Sequence, residues 1–183
     1  MNIRPIIFIT ILMCTFSVQA DNAKEFDTQA KAAIKEFAET LKSALMLSMQ
    51  TDGSVKSIAV CKDIAPRVAE QVSTKYNLDV SRTALKIRNP ENKPDEWEKT
   101  VLRSFEKRLE KGETIKKISF SEQVKTDGVK QWRMMKAIGT DLVCVTCHGE
   151  KIPEPIQAEL KKLYPDDQAK GFSVGSVRGA FSV

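Results

Sequence analysis

IKKISFSEQV, residues 115–124, and VKQWRMMKAI, residues 129–138, are two extended runs joined through Thr126-Asp127-Gly128. Asp-Gly is the dipeptide a tight two-residue hairpin turn requires, because both central residues of that turn take positive φ. The stretch therefore predicts an antiparallel hairpin, and with it a sheet that the helical segments elsewhere in the chain must cover.

Upstream, Val80–Arg88 is rich in β-branched and alternating residues and reads as a strand, closed by the turn-forming stretch Asn89-Pro90-Glu91-Asn92-Lys93-Pro94. Asp95 with Glu98 forms a capping box for a helix whose buried face is Val101, Leu102, Phe105 and Leu109, ending at Gly112. Farther back, Phe26, Ala30, Ala33, Ile34, Phe37, Leu41, Ala44, Leu45 and Met49 recur at helical spacing. They predict a long amphipathic helix over Ala23–Met49 that breaks at Asp52-Gly53. A second stripe holds Ile58, Cys61, Ala65, Val68, Val72 and Tyr76, and it contains Pro66. Proline lacks an N–H and crowds the preceding turn, so a kink or restart is expected between Cys61 and Pro66, with Asp63 available as a cap and Cys61 pointing inward. Downstream, Pro155–Tyr164 reads as a short helix and Val177–Val183 as a final strand. The sum is an α+β domain with helices over a mostly antiparallel sheet.

The amino terminus has a different character. Met1–Ala20 combines a basic start at Arg4, the apolar run Ile6–Phe16 and the small-residue end Ser17-Val18-Gln19-Ala20. This is the pattern of a cleavable export signal, shorter than the roughly 20 apolar residues a bilayer span needs. The expected organisation is a signal peptide over 1–20 and one domain over 21–183, periplasmic, with no stable membrane span after cleavage. The formal net charge of +5 is spread in pairs such as Lys116-Lys117 and Lys161-Lys162. Nucleic-acid binding needs a basic stripe, and none is present.

Cys144-Val145-Thr146-Cys147-His148 is a C-x-x-C-H motif. Two thiols at this spacing can add to the two vinyl groups of a haem while the adjacent histidine reaches the iron. Such attachment occurs outside the cytoplasm, which agrees with the export signal, and it requires haem-attachment machinery as a partner. A C-x-x-C disulfide or redox centre, and a zinc site of Cys61, Cys144, Cys147 and His148, are the competing readings. A disulfide leaves one of the mature cysteines odd, and adjacent Cys147 and His148 are awkward ligands for one tetrahedral ion. His148 is the sole histidine in the chain. A bis-histidine haem is therefore impossible, and the sixth iron position falls to Cys61, Met46, Met49, Met134, Met135, a lysine, water or nothing. One of Met134 and Met135 is expected to face inward as packing.

Several segments resemble a family of exported single-haem c-type proteins with a PAS-like fold. They are Ala59-Val60-Cys61 through Ala65-Pro66, Thr83–Pro90 with Asn92 and Pro94-Asp95, the haem motif, and Tyr164-Pro165-Asp166 through Gly171 to Arg178-Gly179-Ala180. The resemblance covers about Val55 to Val183. It implies an antiparallel sheet of about five strands flanked by helices, one covalent haem c, and iron held by His148 and Cys61. The loop Arg88–Asp95 then either braces the fold or brings Arg82 or Arg88 to a haem propionate.

The expected function is a low-potential redox-responsive or electron-transfer module serving a redox or signalling protein. The alternative is a gas or small-ligand sensor whose sixth ligand leaves on reduction. No acid-base pair suited to peroxide chemistry stands out, so no enzymatic activity is expected.

Overall fold

The computed structural model describes residues 15–183, with side chains from Asn22 onward. Residues 1–14, most of the expected export signal, lie outside the described residues. In chain order the elements are α1 (Thr15–Thr51), α2 (Gly53–Lys56), a π-helical turn (Val60–Ile64), α3 (Ala65–Tyr76), β1 (Ser81–Thr83), α4 (Glu96–Glu110), β2 (Ser119–Thr126), β3 (Val129–Gly139), α5 (Val145–His148), α6 (Glu154–Leu163) and β4 (Val177–Ser182). Among the described residues no helix is long and apolar enough to cross a membrane.

The hairpin is as the sequence implies. Thr126 pairs with Val129, so the loop is Asp127-Gly128 alone, with φ of 51° and 84°. Positive φ at both positions defines the mirror-image turn whose twist matches that of paired strands. The first run enters the ladder late, however, because Ile115–Lys117 forms a 3₁₀ turn that seats Ile118 fully buried.

The sheet is antiparallel with strand order β1-β4-β3-β2. Among the described residues it has four strands, which corrects the expected count of about five. The expected strand over Val80–Arg88 contracts to Ser81–Thr83. Beyond Thr83 the chain leaves the sheet as bends, and the Ala84 N–H bonds to the Asn92 carbonyl instead of to a strand neighbour. The alternation in this segment reflects side chains buried one by one along an irregular loop, which a period-two pattern cannot distinguish from a strand.

Both faces of the sheet are covered. On one, α1 and α3 bring Ala33, Phe37, Val68 and Val72 against Met134 and Phe181. On the other, α4 brings Val101, Leu102 and Phe105 against Met135, Ala137 and Ala180. Neighbouring residues in a strand point to opposite faces. Met134 and Met135 are therefore both buried, one in each layer, where the sequence suggested that only one would be. Phe37 and Phe105 are essentially solvent-free, and each contributes about 1.5–3 kcal/mol by leaving water.

The capping box at Asp95 is formed in both directions: the Glu98 N–H donates to the Asp95 carboxylate at 2.7 Å, and the Asp95 N–H donates to the Glu98 carboxylate at 3.0 Å. The expected interruption before Pro66 takes the form of the π turn, closed by an Ala65 N–H to Val60 carbonyl bond. Asp63 does not cap α3. It lies inside the π turn and is exposed, and Ile64 at the N-cap position of α3 gives no side-chain cap, because the wide turn runs directly into the next helix.

Candidate functional site

A cavity of about 270 Å³ opens between α1, the π turn and the cavity-side ends of β1, β3 and β4. Leu41 and Leu45 of α1 form an apolar wall, and Ile138 and Phe181 form the sheet side. Cys144, Cys147 and His148 line it together with Cys61, which is distant from them in sequence. Local structure explains how each arrives there.

The π turn widens the helical backbone ahead of Pro66 and leaves Cys61 half-buried on the cavity side. Cys144, Cys147 and His148 are gathered by the single turn of α5, in which the His148 N–H donates to the Cys144 carbonyl at 2.9 Å and the Gly149 N–H to Val145 at 2.9 Å. Gly149 must be glycine there, since a Cβ would sit 2.5 Å from the Val145 carbonyl oxygen.

The orientation of His148 is set from behind. Its Nδ1 lies 2.8 Å from the Ala169 carbonyl oxygen, which can only accept, so Nδ1 carries the proton and Nε2 keeps its lone pair. The ring is edge-on to Phe172, with centroids 6.3 Å apart. Burial first, then the nearby Arg178 and Arg88 cations, push the imidazole down to about 2 against the opposing bond to Ala169, so the ring is neutral throughout the ordinary pH range. A neutral, oriented imidazole with a free nitrogen is the form that binds a metal.

Arg88 secures this corner. Its Nη2 donates to the Cys147 carbonyl at 2.6 Å and to the Ala169 carbonyl at 3.3 Å, while Nε and Nη2 fork onto both oxygens of the buried Asp167 at 3.1 Å each. One guanidinium thus joins the loop after β1, the C-x-x-C-H turn and the segment carrying Ala169. Arg88 Nη1 also approaches His148 Nε2 at 3.4 Å, a long contact that leaves the lone pair weakly engaged. Arg88 thus braces this corner of the fold.

The three described cysteines are free thiols, and burial pushes Cys144 and Cys147 upward from the usual thiol value. Among the described residues no three His, Cys, Asp or Glu side chains are grouped closely enough to hold a metal ion, so the four-ligand zinc arrangement is not assembled. Met46 and Met49 line the cavity as Cys61 does. Met134 and Met135, occupied by the two cores, do not.

Asp167 and Ala169 were not singled out from the sequence, and Arg178 entered only within a segment that carries the family resemblance. Asp167 could have been suspected, because an aspartate accepting the N–H two residues on, here Ala169 at 2.9 Å, is a local turn signature. The backbone role of Ala169 and the cavity-facing position of Arg178 have no sequence signal.

No curated protein sequence matches the chain. Among solved structures, the crystal structure of the cyanobacterial heme-protein Tll0287 superposes with a TM-score of 0.61, at 22% identity, over 88% of this chain and 92% of that one. At that identity the likeness speaks for a shared fold. The family described as Tll0287-like matches residues 17–183, which is nearly the whole length, and the chain belongs to it.

Proposed function

We propose that this protein is a monohaem c-type protein of the periplasm, acting as a low-potential redox-responsive or electron-transfer module. The observation that carries this reading is the convergence of two free thiols, a neutral imidazole and a third thiol on one apolar-walled cavity. The residues fit a haem. Cys144 and Cys147 would hold it covalently, His148 would supply one axial nitrogen through Nε2, and Cys61 is proposed as the other ligand. When bound, the haem supplies a one-electron iron couple. A thiolate ligand favours the ferric state and lowers the potential relative to His/Met ligation.

The heme-protein in the Tll0287 crystal structure supports this reading by likeness of fold. The basic, apolar and small-residue succession of Met1–Ala20 supports export. An antiparallel sheet with helices over the cavity-bearing face is compatible with a PAS-like arrangement over residues 21–183 as one domain.

The chain's own residues do three things in this reading. Arg88, Asp167 and the Ala169 carbonyl fix the imidazole before loading. Leu41, Leu45 and Phe181 give the cavity apolar walls that would disfavour water beside a bound ring. The π turn carries Cys61 to the same space.

The test is an absorption spectrum of protein made with haem-attachment machinery, in the ferric and ferrous states and under carbon monoxide. A low-spin ferric spectrum, with a ferrous spectrum that carbon monoxide does not change, is expected. A ferrous spectrum shifted by carbon monoxide would transfer the assignment to a small-ligand sensor, and absence of covalent haem would overturn both.

A further inference from the structure

A buried carboxylate, Asp167, stands two residues from the carbonyl that His148 uses, yet neither of its oxygens bonds the imidazole. Oδ1 accepts from Arg88 Nε at 3.1 Å and from the Ala169 N–H at 2.9 Å. Oδ2 accepts from Arg88 Nη2 at 3.1 Å, with Lys170 Nζ farther off at 3.9 Å. The His148 Nδ1–H goes instead to the neutral Ala169 carbonyl at 2.8 Å. The acceptor behind a metal-binding histidine sets how basic the ring is, and a charged acceptor makes the stronger bond.

Arg88 stands between the carboxylate and the ring. Its Nη1 lies 3.4 Å from His148 Nε2, and its Nη2 lies 3.3 Å from the same Ala169 oxygen. Both members of the ion pair are buried, so water does little to screen either charge. The cation is the nearer of the two to the imidazole.

Bracing alone does not call for these charges. The segment after Asp167 is already laced in place by backbone bonds: Gln168 N–H to the Ile87 carbonyl at 2.8 Å, Gly171 N–H to Gly149 at 3.0 Å and Phe172 N–H to His148 at 2.9 Å. Replacing a buried ion pair by apolar side chains of similar volume is often neutral or stabilising. The pair therefore has a task besides stability.

We propose that Arg88 is a positioning residue that screens His148 from the Asp167 charge, so that the pair sets the reduction potential of the site. This deepens the haem reading above and rests on it. An unscreened Asp167 would favour the ferric state and strengthen the basicity of the imidazole, lowering the potential. An unpaired Arg88 would oppose the ferric charge and raise it. Sharing the Ala169 oxygen with a cation also makes that oxygen a poorer acceptor for Nδ1–H, which keeps the ring a moderate donor.

The experiment uses the full chain loaded with haem, as the native protein, Arg88→Met, Asp167→Asn and the double variant, each first shown by intact mass to carry covalent haem. Potentials are read at alkaline pH, where the carboxylate left unpaired in Arg88→Met is ionised. Asp167→Asn is expected above the native value, Arg88→Met well below it, and the double variant between Arg88→Met and the native protein. His148 is the sole histidine, so its Nδ1–H proton resonance in the ferrous protein is assigned without ambiguity. It is expected to move downfield in Arg88→Met, where the Ala169 oxygen serves the ring alone. Loosening of the corner would act in the same direction in both single variants and could not give opposite signs.

Single variants that shift the potential in the same direction, or not at all, would overturn the inference and leave the haem reading intact. Covalent haem absent from the native protein would overturn the reading and the inference together. Should the single variants not fold, the double variant, which leaves no charge uncompensated, decides. A potential below the native one with a downfield Nδ1–H upholds the inference, and a potential equal to or above it overturns it.

Discussion

His148 and Arg88 share one acceptor: the Ala169 carbonyl oxygen lies 2.8 Å from the imidazole Nδ1 and 3.3 Å from the guanidinium Nη2. The proposed iron ligand and the residue that braces it are thus held by the same carbonyl, and Asp167 holds the other side of that residue, accepting from the Ala169 N–H of the preceding peptide.

Asp167→Asn should therefore do more than remove a charge. The ion pair is buried on both sides, with side-chain exposures of 7% for Arg88 and 2% for Asp167, and deleting one partner leaves the other charge uncompensated. A loss of about 3–5 kcal/mol in urea unfolding is expected. A loss of under about 1 kcal/mol would show that Arg88 finds other partners at little cost.

Cys61→Ser tests the proposed sixth ligand. The expected outcome is conversion of the ferric spectrum from low-spin to largely high-spin and a rise in potential, with the mass still showing covalent haem. An unchanged low-spin spectrum would point to Met46 or Met49, which line the same cavity.

Gly149→Ala places a methyl group 2.5 Å from the Val145 carbonyl oxygen, at the end of the turn that carries both attachment thiols. Overpacking of this kind costs about 1–3 kcal/mol, and the turn can relax only by moving Cys147 and His148. Thermal unfolding at lowered temperature together with a reduced fraction of loaded protein is the expected result. Loss of stability with full loading would confine the clash to the backbone.

Phe105→Ala probes the layer farthest from the cavity. Phe105 is solvent-free between α4 and the sheet, and its truncation should cost about 3–5 kcal/mol. The absorption spectrum of the loaded protein that remains folded should be unchanged. A spectral shift would mean that the two cores are coupled through the sheet.

Asp95 gives the pH dependence. Burial works to raise its carboxyl, but the Glu98 N–H and Arg133 outweigh that and hold it below the ordinary value of 3.8. A carboxyl lowered in the folded state contributes stability that is complete above its unfolded value and is lost as pH falls through the folded one. Denaturation midpoints should therefore fall on acidification below the ordinary carboxyl range, and less so in Asp95→Ala. That variant should also cost about 1 kcal/mol at neutral pH through the lost cap. Identical acid profiles would assign the acid sensitivity elsewhere.

What could be read in advance follows from how local the signal is. The Asp127-Gly128 turn and the Asp95 and Glu98 box are each encoded within a few residues, and each forms as its local chemistry dictates; the C-x-x-C-H residues are equally local and lie on one helical turn. The shortened β1 was missed because burial along residues 84–88 comes from loops packed around it, not from strand neighbours. The Met134 and Met135 assignment failed because a sheet covered on both faces erases the polar half of the alternation. Arg178 was invisible as a cavity residue because its place there comes from the pairing of β4 with β1 and β3, which belongs to three-dimensional surroundings rather than to any neighbour in sequence.

The π turn at Val60–Ile64 has a consequence for how the chain can change over time. Each residue of an α-helix advances the direction of its side chain by about 100°, so a helix read without interruption ties every position to every other. A wide turn absorbs an extra residue and resets that count. The bearing of Cys61 is thereby released from the packing of α3 on α1. Substitutions, or even a length change, on the α3 side can be accommodated there without rotating the thiol away, whereas comparing such chains on an unbroken helical register would misplace the cysteine by about a quarter turn.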